Sequence, residues 1–244
     1  MGRASAVLGL RAAAAGLLGA LLGLYYAFHE SLPDTSTWGD VAVIALVLMP
    51  AVFALVCLAL PLARARWVEL LGLAVATTVL AILLRLAGAD TLSDFAKLGA
   101  VTAAAFCFLY FFEDVSWVVL VACIIPWVDA YSVWRGPTNN IVHHHGHVFN
   151  WLAFAFPLPG EDNEARLGIP DLLFFALFLA ASARFRLRPW LTWALLVLSF
   201  GATISIAVVW NRSGLPALPL LSAAFLLANA DLIWRALRRK RRPA

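Results

Sequence analysis

Three carboxylates stand in apolar surroundings where a lipid-spanning segment should carry no charge. Asp129 lies in Ile124-Ile125-Pro126-Trp127-Val128-Asp129-Ala130-Tyr131, Asp171 in Gly168-Ile169-Pro170-Asp171-Leu172-Leu173-Phe174-Phe175, and Asp231 two residues after Asn229 near the C-terminal basic run. A carboxylate inside hydrocarbon is costly and marks function by default. Pro126 has no amide hydrogen and loosens a helix just before Asp129. Pro170 suits the first turn of a helix, where its missing hydrogen costs nothing. If these two stretches are consecutive antiparallel helices, Asp129 and Asp171 sit level, near the same membrane face. Two close carboxylates cannot both ionise and so share one proton. One is then a general base for a water while the other protonates a carbonyl oxygen, which hydrolyses a peptide bond without a covalent intermediate. The plainer alternative is that each aspartate caps a helix or pairs with an arginine; Asp171 suits a helix N-terminus. For Asp231 a bond to Arg235 at i,i+4 is the expectation.

The elements that must hold these groups are membrane helices. The chain is 63% hydrophobic and 13% charged, whereas soluble domains are about half apolar and a quarter charged. Its apolar residues fall into eight runs, near 7–28, 41–63, 67–87, 97–112, 116–134, 168–183, 189–210 and 215–234. Most approach the roughly 20 residues that a helix needs to cross the bilayer, and backbone groups in lipid must be satisfied within the segment. The fold class expected is all-α: a polytopic transmembrane helical bundle of about eight helices. The first run carries Arg11 and ends in Tyr25-Tyr26 without a clear cleavage pattern, and is expected to stay in the mature protein. The single transmembrane domain, 1–244, divides into N-terminal helices (1–114), a half that carries the candidate site (115–235) and a basic tail (236–244).

Charge sets the orientation. Arg3, Arg64, Arg66, Arg184, Arg186, Arg188 and the tail from Arg235 to Arg242 fall on one side of an eight-span chain; Glu30, Asp34, Asp40, Asp90, Asp94, Glu161, Asp162 and Glu164 fall on the other. Basic loops are cytoplasmic, so both termini are expected inside. Lys97, Arg135, Arg166, Arg212 and the Glu113-Asp114 turn run against the pattern. The net charge of +4 points to orientation and anionic lipid rather than to nucleic acid. Cys57, Cys107 and Cys123 read as small buried hydrophobes. The connection over about 135–167 shows no clear periodicity and holds His143-His144-His145-Gly146-His147. His143 and His147 have the spacing of two zinc ligands on one helical face, but no second ligand cluster accompanies them, so a solvated loop and no metal is expected. Trp127, Trp134, Trp151 and Trp190 lie near span ends, where interfacial anchoring explains them.

The ordered set Asp129, then Gly168-Ile169-Pro170-Asp171, then Pro216-Ala217-Leu218 resembles the intramembrane aspartyl proteases of the presenilin and signal peptide peptidase type. That family carries Tyr-Asp in one helix, Gly-x-Gly-Asp in the next and Pro-Ala-Leu in the last. The resemblance covers about 115–235, and Asp129-Ala130-Tyr131-Ser132-Val133 also looks like the residues that follow the family's first aspartate. It implies a presenilin-like bundle with Asp129 and Asp171 as the catalytic pair. It further implies that Gly168, Pro170, Pro216, Ala217, Leu218 and Tyr131 position substrate. Val128 and Pro170 stand where the family has tyrosine and glycine, and the family has nine spans rather than eight.

The reading is an intramembrane aspartyl protease whose substrates are membrane-embedded helical peptides or proteins, among them signal-peptide remnants. No metal or organic cofactor is implied, nor any nucleic acid. The same carboxylates would serve a proton- or cation-coupled transporter, and Pro170 would suit a catalytically silent scaffold. Two lysines against sixteen arginines, with many alanines, point to a GC-rich genome and a bacterial plasma membrane. Location reporters fused at His145 and at the C-terminus should report opposite sides of the membrane, since the basic segments gather on one side only with an even number of spans; agreement between the two fusions would exclude this topology.

Overall fold

The computed structural model describes residues 2–135, 151, 153–210 and 215–240. Eight helices dominate them: α1 (Gly2–Phe28), α2 (Thr37–Arg64), α3 (Trp67–Leu86), α4 (Asp90–Tyr110), α5 (Val115–Arg135), α6 (Ile169–Arg184), α7 (Pro189–Val209) and α8 (Leu218–Lys240). All but α6 are long and apolar enough to cross a membrane. The protein is an all-α, multi-pass integral membrane protein. The histidine run at 143–147 lies outside the described residues.

Local chemistry accounts for the helix ends and bends. Ser36 caps α2 by accepting from the Gly39 amide, and the Asp114 carboxylate accepts from Ser116 at the start of α5. Just before Pro50, α2 widens into a single π turn over Ile44–Leu48, a common adjustment within a helix. Ala45 in that turn faces Gly201 of α7, where an added Cβ would lie only 3.1 Å from the alanine methyl. The glycine therefore lets α2 and α7 approach closely.

The core forms around α6. Its 16 residues reach about 24 Å at 1.5 Å each, short of the roughly 30 Å hydrocarbon thickness. From Phe175 to Ser182 every residue is buried, as expected of a helix that neighbours surround rather than lipid. Phe175 stacks on Phe53 of α2 with centroids 3.9 Å apart, and Phe53 stacks on Phe200 of α7 at 5.1 Å. Phe178 stacks on Phe225 of α8 at 4.8 Å. At the far end of α6, Arg184 donates to the Leu109 carbonyl of α4.

Four features depart from the sequence expectations. The fourth helix begins at Asp90 rather than at residue 97, so Asp94 and Lys97 are buried helix residues rather than loop charges. Asp231 pairs with Arg188, through two contacts of 2.8 Å, and not with Arg235. The turn that follows α6 brings Arg188 beside α8, where Asn229 accepts from its amide. Cys123 is exposed on the outer surface of α5, whereas Cys107 is buried. Finally, the long connection is not structureless: β1 (Ala153–Pro157) and β2 (Glu164–Gly168) form an antiparallel hairpin that runs directly into α6. Phe154 and Phe156 are fully buried under it.

The hairpin turn docks on the α1–α2 connection. The Gly160 amide donates to the His29 carbonyl at 2.8 Å. Gly160 has φ +74°, and a Cβ there would come within 2.6 Å of the Asp34 amide nitrogen. Gly160→Ala should therefore cost about 1–3 kcal/mol through left-handed strain and the clash. Thermal unfolding in detergent checks this, and an unchanged midpoint would mean that the turn does not dock as described.

Candidate active site

Asp129 and Asp171 come from helices that touch, α5 and α6, at the hairpin end of the bundle. Asp129 lies six residues before the end of α5, about 9 Å along its axis. Pro126, inside the same helix, cannot donate to the carbonyl four residues back and leaves that turn weaker. The Asp129 Oδ2 accepts from the Leu218 amide at 3.1 Å. Leu218 opens α8, and the first amides of a helix have no partner within it. One helix thus supplies the carboxylate that caps another.

Asp171 is the third residue of α6, following Pro170 in the first turn. Gly168 ends β2 and is the N-cap, with φ −63° and ψ 146°. Its amide is the backbone donor that faces the Asp171 carboxylate, and an added Cβ would lie 3.3 Å from Oδ2. The negative φ means that the backbone does not demand glycine here; the space beside the carboxylate does. Pro170 lacks an amide hydrogen only where no helical acceptor exists, so it leaves the start of α6 intact.

The two carboxylates interact electrostatically with each other. No ion pair among the described residues reaches either of them: the four present are Arg85–Asp90, Lys97–Asp94, Arg166–Glu164 and Arg188–Asp231. Among the described residues, then, no arginine pairs with either. Both accept backbone hydrogen bonds at helix N-termini, where the peptide dipoles favour negative charge. Among the described residues, no three His, Cys, Asp or Glu side chains converge to hold a metal ion.

The other residues singled out in the sequence divide into two groups. Ala217 and Leu218 are buried at the start of α8 beside Asp129, with Pro216 partly buried just before them. Tyr131 is 66% exposed and, two positions from Asp129, lies on a different face of α5; it is not brought to the carboxylates. Val128 is also exposed.

Beside this pair lies an asymmetric hairpin. The register matches Phe154 with Leu167 and Phe156 with Ala165. The outward backbone groups of Ala153, Ala155 and Pro157 bond to side chains of α1 and α4. On the opposite edge, the outward groups of Glu164 and Arg166 have no hydrogen-bond partner among the described residues. That open edge ends at Gly168, three residues before Asp171. Sequence reasoning missed the anchoring residues Tyr25, Tyr26, Asp94 and Lys97. Their signal was the i,i+3 spacing of Asp94 and Lys97 ahead of an apolar run, which read as a boundary of charges rather than as a pair inside a helix.

The chain matches no protein-family model, no curated protein and no solved structure.

If the Asp129–Leu218 bond holds α8 in place, Asp129→Ala should lower stability by about 0.5–2 kcal/mol, the usual worth of a lost helix cap. Asp129→Asn keeps an acceptor oxygen and should lose much less. Equal losses for the two variants in detergent unfolding would count against this bond.

Proposed function

We propose that the protein is an intramembrane aspartyl protease. The observation that carries this reading is the pair of carboxylates, Asp129 and Asp171, on touching helices, within electrostatic range of each other and with no cation paired to either among the described residues. Like charges at close range share a proton. A water between them loses a proton to the ionised carboxylate as its oxygen attacks the peptide carbonyl, while the protonated carboxylic acid protonates the carbonyl oxygen. Collapse of the tetrahedral intermediate breaks the C–N bond, and the nitrogen leaves with the proton first taken from water. The amides of Leu218 and Gly168 hold the two carboxylates from behind, which limits their freedom to rotate.

The open edge of β2 supports the substrate class. A helix cannot offer its peptide bonds to a water because its backbone is already paired. An unwound segment needs new partners in a water-poor setting. Strand addition beside Glu164 and Arg166 would supply them and lead the peptide toward Gly168 and Asp171. The partners are therefore membrane-embedded helical peptides or proteins, signal-peptide remnants among them. The presenilin-like order of motifs agrees with this chemistry, and the distribution of basic segments supports a reading with both termini on the cytoplasmic side of a bacterial plasma membrane.

Purified protein in lipid should cleave a helical peptide with a bell-shaped pH dependence, since activity needs one carboxylate ionised and one protonated. Asp129→Asn and Asp171→Asn should each lower cleavage by about a thousandfold or more, as losses of a catalytic acid or base do. No hydrolysis by wild type, with proton- or cation-coupled flux in liposomes that either substitution alters, would identify a transporter instead. Neither activity would identify a scaffold. Cleavage that Asp171→Asn leaves intact would refute the assignment of the pair.

A further inference from the structure

A second ionic group lies away from the carboxylate pair. On α4, Asp94 and Lys97 are 6% and 9% exposed, with their charged atoms 2.5 Å apart. Buried pairs add little net stability, because desolvation offsets their attraction, so stability alone gives no account of one here. Its remaining hydrogen bonds do. Asp94 Oδ2 accepts from the Ala155 amide at 3.0 Å, and Lys97 Nζ donates to the Ala153 carbonyl at 2.7 Å. From α1, the Tyr26 hydroxyl donates to the Ala155 carbonyl at 2.7 Å and the Tyr25 hydroxyl to the Pro157 carbonyl at 2.9 Å. Four side chains thus take the place of a third strand along β1.

The pattern is specific in chemistry as well as in position. In an antiparallel pair, residues whose groups face outward alternate with those bonded across the ladder. The outward row here runs from Ala153 through Ala155 to Pro157. It offers carbonyls at all three positions but an amide that meets a carboxylate at Ala155 alone. The side chains match it: hydroxyls and an ammonium donate to the carbonyls, and the one acceptor, Asp94, meets the amide. A slip of one residue would present Phe154 and Phe156 to these groups and turn their side chains out of the core.

We propose that Asp94 and Lys97, with Tyr25 and Tyr26, are positioning residues that lock the register of the hairpin and so set which backbone groups of β2 lie beside Asp171. They touch neither carboxylate; they act through β1, then β2, then Gly168. The N-terminal helices are on this view part of the site: α1 and α4 seal one edge of the hairpin, and among the described residues the other edge is left unpaired. This rests on the protease reading only for its catalytic readout, because the lock itself is a property of the free protein.

The test uses full-length protein in lipid nanodiscs and three variants. Lys97→Met removes the donor to Ala153, Tyr26→Phe removes one hydroxyl and little volume, and Lys97→Arg keeps a charged donor. Backbone hydrogen exchange should quicken about tenfold or more over 153–168 in Lys97→Met and Tyr26→Phe, the loss expected when one hydrogen bond of a locally opening unit is removed. Protection across α6 and α7 should stay as in wild type, and Lys97→Arg should restore most of it over the hairpin. Mass analysis of cleaved peptide should show a ragged set of products in the first two variants, where wild type gives a dominant bond; a merely structural pair would lower the rate without moving the cut. Hairpin protection unchanged in both Lys97→Met and Tyr26→Phe overturns the proposal, as does slower cleavage at an unmoved bond. If Lys97→Met fails to fold, Tyr26→Phe and Lys97→Arg decide the matter alone. If wild type cleaves nothing yet protection falls as expected, the lock stands and the protease reading falls.

Discussion

A backbone that leaves its helix close to hydrocarbon must find partners for every amide and carbonyl, and the rest of the structure at the hairpin end follows from that constraint. The chain between α5 and α6 meets it asymmetrically. β1 is bonded on one side to β2 and on the other to Tyr25, Tyr26, Asp94 and Lys97. β2 is bonded on one side only among the described residues. An unpaired edge is a template for another strand, which soluble proteins blunt with charge or cover. Glu164 and Arg166 sit on it, paired with each other at 2.8 Å, and such charges are one of the means by which an unpaired edge is blunted.

The opposite end of the bundle shows why that edge stays in place. α6 is too short to span unaided and is buried on every side, so its position is set by packing rather than by the bilayer. The ring stacks of Phe175 and Phe178 with Phe53, Phe200 and Phe225 fix it sideways. The bond from Arg184 to Leu109 and the Arg188–Asp231–Asn229 group fix its far end and the helix that follows. Asp171 therefore projects from a helix that its neighbours enclose, while its partner Asp129 projects from α5, most of which faces outward. The pair joins a rigid element to a looser one that contains Pro126. Motion that opens or closes the site is then expected in α5 rather than in α6.

Much of this fold was legible in the sequence, because hydrophobic run length is a strong signal when the solvent is lipid. Seven helices fall where the runs lie, and even the short α6 was visible as an apolar stretch after Pro170. The two carboxylates were legible for the same reason: a charge in such a run stands out. What the sequence hid was everything that depends on pairing at a distance. The hairpin's strands are five residues each, too short for alternation to register beside an aromatic run. Asp94 and Lys97 looked like the edge of a span because nothing local shows that Ala153 and Ala155 will come to meet them across more than fifty residues. Asp231 looked paired with Arg235 because the local i,i+4 rule names a partner without knowing that the α6–α7 turn brings Arg188 closer.

Capping and catalysis are often set against each other as explanations of a carboxylate at a helix N-terminus, but here they make compatible demands. A cap orients one carboxylate oxygen toward an amide and leaves the other free. Asp129 spends Oδ2 on Leu218, and Asp171 faces the Gly168 amide; neither side chain is closed off by a second, cationic partner. The oxygens left over are the ones that the proposed reaction assigns to a water. Among the described residues no cation pairs with either carboxylate, and the proposed hydrolysis requires such a pair to hold one proton between two anchored groups, one to take a proton and the other to give it.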